Sequence, residues 1–155
     1  MIKSAKFSND RKYRYILSRI WGAQKPIVMF IGLNPSTANE DKDDATIKKI
    51  EKICKHNGFD GFYMLNLFGL VTAYPKVLKE NFEIAIGEND KHLLEIADRV
   101  NKIVCCWGNF PQAQSRAEIV KKMFPNNELL CLKKNKSGSP KHPLYCYDNN
   151  ELIDF

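Results

Sequence analysis

The chain has 155 residues, 44% hydrophobic and 27% charged, with a formal net charge of +6 from 24 Lys+Arg against 18 Asp+Glu. That size and balance fit one globular domain over residues 1–155, and no apolar run approaches the roughly 20 residues of a membrane span, so no membrane partner is expected. The positive balance favours a polyanionic partner by its field alone, and the start, Met1 to Lys6, lacks the apolar core of a secretory leader, so a soluble, cytoplasmic monomer is expected.

Arg11 to Leu17 (RKYRYIL) fits either an antiparallel edge strand or part of a helix. Ile27 to Ile31 (IVMFI) is a continuous apolar run, the mark of a strand covered on both faces. Gly32-Leu33-Asn34-Pro35-Ser36-Thr37 follows it, with Gly32 allowing a close turn and Pro35 stiffening the chain behind Asn34. So held, the Asn34 amide suits the positioning of a water nucleophile, whereas an Asx turn would use it only to connect strand to loop. Asp43 or Asp44 reads as the N-cap of a helix over Ala45 to His56, whose stripe is Ile47, Ile50, Ile53 and Cys54.

Phe62 to Leu67 (FYMLNL) is a second strand with an amide, Asn66, inside it. A buried amide needs partners, and Asn66 either satisfies nearby backbone or presents a donor and an acceptor to a planar base. Gly69 to Gly87 is a long loop, and Gly87-Glu88-Asn89-Asp90 reads as the start of a helix running to Val100. Lys102 to Trp107 (KIVCCW) and Glu128 to Leu132 (ELLCL) complete four strands, with an amphipathic helix over Gln112 to Phe124 between them. The alternation predicts a βαβ architecture with a mostly parallel sheet. Lys133 to His142 is a basic loop, and Pro140 and Pro143 brace His142 as a catalytic, ligand-contacting or merely hydrogen-bonded ring.

Five cysteines without paired C-x-x-C knuckles read as reduced, mostly buried thiols rather than a metal cage. G-x-G-x-x-G and P-loop signatures are absent, and no cofactor or metal is expected.

These motifs together resemble a bacterial and phage family called domain of unknown function 1643. They are Arg14-Tyr15 with Trp21, Leu33-Asn34-Pro35-Ser36-Thr37-Ala38, Asp43-Asp44-x-Thr46-Ile47, Asn66-Leu67-Phe68, Gly87-x-Asn89-Asp90, Trp107-Gly108 and Gly138-x-Pro140-x-His142-Pro143-Leu144-Tyr145. More distantly, the order of Gly-x-Asn-Pro, a strand ending in Asn, Trp107-Gly108 and His142-Pro143 is similar to the uracil-DNA glycosylase superfamily. That resemblance implies an α/β three-layer sandwich around a mostly parallel four-stranded sheet, without a metal.

By the same resemblance, Asn34 positions the attacking water, Asn66 reads a flipped base and His142 stabilises the departing base anion. Gly32, Leu33, Pro35, Ser36 and Phe68 are expected around the base. Asn34-Pro35-Ser36-Thr37 stands where the uracil-specific branch has Asp-Pro-Tyr-His. The aromatic that excludes thymine therefore has no counterpart, which leaves room for a substituent on C5 of the kind found in phage DNA. The expected activity is hydrolysis of the N-glycosidic bond of a damaged or modified pyrimidine in DNA, leaving an abasic site. Lys133, Lys134, Lys136 and Lys141 are expected on phosphates, and Leu144 or Tyr145 as a wedge in the vacated stack. The alternatives are a non-catalytic base, nucleotide or DNA-binding module and a hydrolase of free nucleosides or nucleotides.

Overall fold

The computed structural model describes residues 1–155. Four strands form its centre: β3 (Ile27–Gly32), β4 (Gly61–Asn66), β5 (Lys102–Cys105) and β6 (Glu128–Cys131). They are the four apolar runs of the sequence, and their mutual pairings are parallel. The sheet does not stop there, which corrects the expected four-stranded, mostly parallel arrangement. It is a mixed, seven-stranded sheet in the order β1-β2-β4-β3-β5-β6-β7, extended by β1 (Ile2–Phe7), β2 (Arg14–Ile20) and β7 (Ile153–Asp154). All three additions pair antiparallel.

The additions lack the apolar signature of the centre for a physical reason. β1 is largely exposed and β7 is a two-residue edge, so backbone pairing rather than side-chain burial defines them. The undecided Arg11 to Leu17 segment contributes to β2, which lies inside the sheet, between β1 and β4. Its apolar run is opened by Arg14 and interrupted by Arg19, both buried.

Successive strand residues point to opposite faces, and each face has its own helices. Val28, Phe30, Phe62 and Met64 pack with Ile47, Ile50 and Ile53 of α1 (Ala45–His56). Met29, Ile31, Leu65 and Ile103 face the other way, onto Leu93 and Ile96 of α3 (Asn89–Ala97) and Ala117 and Val120 of α4 (Gln114–Lys121). A fourth helix, α2 (Phe82–Ile86), and a 3-10 turn over Pro75–Lys79 occupy the segment expected as a loop. The Asp44 side chain caps α1 by accepting from the Ile47 N–H at 2.9 Å. All five cysteines are free and buried, and no helix is long and apolar enough to cross a membrane.

The chain leaves β3 through α1 to reach β4 on one side, then crosses by α3 on the opposite face to β5 on the other side of β3. The carboxyl end of β3 is therefore a topological switch point, where connections diverge and a crevice opens. The functional candidates lie there.

Candidate functional site

A cavity of about 240 Å³ opens at the switch point, lined by Gly32, Leu33, Asn34, Pro35, Ser36, Asn66 and His142 among others. Two loops and the end of β4 thus bring the two asparagines and the histidine together. The volume lies just under the roughly 300 Å³ at which drug-sized ligand pockets begin, and so suits a single small ring better than a dinucleotide.

Asn66 ends β4 in parallel register with Gly32. Its side chain is buried and the amide nitrogen has no hydrogen-bond partner in the protein. A Cβ on Gly32 would lie 2.7 Å from the Asn66 Oδ1 and 2.7 Å from the Met64 Cε. Glycine at position 32 is needed to give the Asn66 amide its space. The backbone around Asn66 is held from behind: the Asn89 amide donates to the Asn66 carbonyl at 2.6 Å, and the Arg116 Nε donates to the Leu67 carbonyl at 2.9 Å. Arg116 is in turn ion-paired to Asp90. The Asn89-Asp90 motif, beyond starting α3, fixes the strand end that carries Asn66.

Asn34 is held by its own amide hydrogens. Its Nδ2 donates to the Thr72 carbonyl at 2.7 Å and to the Pro35 carbonyl at 3.0 Å, while the Thr72 N–H donates back to the Pro35 carbonyl at 3.1 Å. These bonds join the Asn34 loop to the Thr72–Pro75 segment and leave the Asn34 Oδ1 as the group available to accept from a ligand or a water.

His142 caps the 3-10 turn Pro143–Tyr145, its Nδ1 accepting from the Leu144 N–H at 3.2 Å. An accepting Nδ1 places the proton of the neutral ring on Nε2, making that nitrogen a donor. Burial holds the His142 pKa below its ordinary value, opposed by the Asp44 carboxylate. The loop is anchored where the Gly108 N–H donates to the Pro140 carbonyl at 2.9 Å, with Gly108 at φ 78°.

The remaining expected residues divide. Phe68 does not line the cavity: it is fully buried in the core, its ring 5.4 Å from that of Phe82. It is the first residue past Leu67 and packs onto the α3 face of the sheet. Lys133, Lys134 and Lys136 are exposed and Lys141 half-buried, and none of them is within ion-pair distance of a carboxylate. Their loop folds back on itself, the Lys141 N–H donating to the Lys133 carbonyl at 2.8 Å. Leu144 and Tyr145, 48% and 76% exposed, project beyond His142 rather than into the cavity.

The structure adds lining residues that motif reading had not placed there, notably Arg14, Asp44, Thr72 and Trp107. Arg14 and Asp44 were visible as motif members, and Asp44 as a helix cap, but nothing local says that their polar ends face a shared space. No group of three or more His, Cys, Asp and Glu side chains is arranged to hold a metal ion.

A family model described as "Protein of unknown function (DUF1643)" matches residues 14–144. The chain belongs to the DUF1643 family. The matched segment begins at Arg14 and takes in every residue that lines the cavity, while β1 and β7 fall outside it. No curated protein and no solved structure matches the chain.

Proposed function

We propose that this DUF1643 protein is a DNA glycosylase that takes a damaged or modified pyrimidine into the switch-point cavity and hydrolyses its N-glycosidic bond. The observation that carries this reading is the Asn66 amide nitrogen, buried and without a protein partner, in the same cavity as a neutral imidazole whose Nε2–H is a donor. A buried, unpaired donor is costly, and a ligand carbonyl relieves it. The amide oxygen of Asn66 and that of Asn34 supply acceptors for ring or exocyclic N–H groups.

In this mechanism the bond from the sugar C1′ to the ring nitrogen breaks with its electron pair going to the base, and the water oxygen bonds to C1′. Positive charge develops on the sugar and negative charge on the base. His142 donates to a base carbonyl where the negative charge collects, as a neutral imidazole can. Asn34 accepts from the water and orients it. Asn34 cannot take the proton that the water must lose. Asp44, a carboxylate lining the same cavity, can, and it also favours the cationic sugar. The unpaired lysines Lys133, Lys134, Lys136 and Lys141 hold backbone phosphates, with Leu144 and Tyr145 beside the vacated stack. The motif-level similarity to the uracil-DNA glycosylase superfamily supports the same reading.

The test is to incubate the protein with duplex and single-stranded DNAs carrying different modified pyrimidines and to assay alkali-labile abasic sites. Release of at least one base by the wild type, abolished in His142→Ala, is the expected result. Binding without release from any substrate would replace the enzyme by a base-binding module.

A further inference from the structure

Arg14 opens β2 and is 3% exposed, yet it has no carboxylate within ion-pair distance. Its Nη1 donates to the Ala38 carbonyl at 3.0 Å, its Nε is buried without a partner, and the residue lines the cavity. The other two buried arginines are both ion-paired, Arg19 to Asp43 and Arg116 to Asp90. Burial lowers the Arg14 pKa to about 10, with Asp44 opposing the change, so the group stays cationic at neutral pH. A buried cation that the protein leaves under-bonded, beside an open cavity, is a place for an anionic oxygen.

We propose that the ligand of this cavity carries an oxyanion, a carboxylate on the ring or the phosphate of its own nucleotide, which binds the Arg14 guanidinium. This rests on the cavity being a pyrimidine site and adds the charge of what enters it. The Asp44 carboxylate lines the same cavity and repels such a group, but its Oδ1 is engaged by the Ile47 N–H at the start of the twelve-residue α1, where the helix end offsets part of its charge. Arg14 therefore supplies the attraction and Asp44 sets a limit on it.

The experiment is calorimetric titration of the full chain with three probes: deoxycytidine, deoxycytidine with a carboxyl group on its ring, and deoxycytidine monophosphate. At least one charged probe should bind about tenfold or more tighter than the neutral one, the yield of a charge-assisted hydrogen bond, and which of the two does so tells ring substituent from phosphate. Arg14→Gln should erase that preference, and Asp44→Asn should enlarge it by about threefold or more as a like charge is removed. If Arg14→Gln fails to fold, the wild-type preference and its growth in Asp44→Asn decide the matter. Equal binding of charged and neutral probes by the wild type, or a preference that survives Arg14→Gln, overturns the assignment of charge and leaves base excision standing. Failure of all three probes to bind overturns the assignment of charge, while base excision stands or falls by the release of bases from DNA.

Discussion

Arg14 and Arg19 lie on one strand, β2, and both are buried, but the protein treats them differently. Around Arg19 every donor nitrogen is used: Nε on Asp43 at 2.8 Å, Nη1 on the Ser18 carbonyl at 2.8 Å, and Nη2 on the Asn39 carbonyl at 2.6 Å. That cluster ties the loop before α1 to the sheet and so positions Asp44 at the head of the helix. Around Arg14 there is one hydrogen bond and an open cavity. Burial alone marks both charges, and only the count of satisfied donors separates scaffold from site.

The largest expected difference between the two arginines is in stability. Arg19→Met should destabilise the fold by about 3 kcal/mol, because it leaves Asp43 only the more distant Lys3, at 3.4 Å, and empties a saturated network. Arg14→Met should change stability by no more than about 1 kcal/mol, since it removes an under-bonded buried charge and keeps the apolar stem. Chemical denaturation of the two variants checks this, and equal losses would erase the distinction between the two regions.

On the cavity side the expected loss is of rate rather than of stability. His142→Ala should slow base release by about 100-fold while DNA affinity changes little, because the donor acts where charge develops in the transition state. Single-turnover release and a binding isotherm, measured on the same substrate, separate the two quantities. A parallel loss of affinity would make His142 a binding residue only.

The pH response follows with a smaller effect. Burial holds the folded pKa of His142 below its ordinary value of 6.5, and His92 is displaced in the same direction. Between the folded and unfolded values the unfolded chain binds more protons. The stability contributed by keeping these rings neutral is therefore complete above pH 6.5 and is lost as the pH falls through the folded values. Base release should follow the same sign, flat at neutral pH and falling on the acid side below the ordinary imidazole range. A release rate that rises on acidification would mean that the protonated ring is the working form.

The smallest effect lies outside both regions, at the exposed lysines. Changing Lys133, Lys134 and Lys136 together to Gln should leave stability unaltered. It should weaken binding to every DNA sequence alike and reduce the salt slope by about 0.9 per lost phosphate contact. An unchanged slope would place the DNA on another face.

Much of the frame was legible in the chain. The spacing of Ile47, Ile50, Ile53 and Cys54 behind an Asp cap delimits α1 over Ala45–His56, and the four unbroken apolar runs mark the parallel centre because strands covered on both faces have no polar side to show. β1 and β7 were not legible, since an edge strand is held by backbone pairing and its side chains stay exposed. In the Gly69 to Gly87 segment the Asn81 side chain accepts from the Ile84 N–H at 3.2 Å to cap α2, a signal too short to stand out from loop chemistry.

The site was half legible in the same sense. Asn34, Asn66 and His142 could be singled out because each interrupts or follows an apolar run, and proline braces two of them; Phe68, expected around the base by resemblance, lies in the core instead.

By itself, then, the sequence determined where helices and central strands run and which polar residues stand at their ends, because periodicity and capping act over a few neighbouring residues. Tertiary structure alone decided that Arg14 from an antiparallel strand and Asp44 from a helix cap share one cavity with Asn66 and His142. It also decided that Arg19 is saturated while Arg14 is not. Hydrogen-bond satisfaction depends on carbonyls and carboxylates brought in from distant positions, such as Ala38, Asn39 and Asp43, and no local pattern records which donors will meet them.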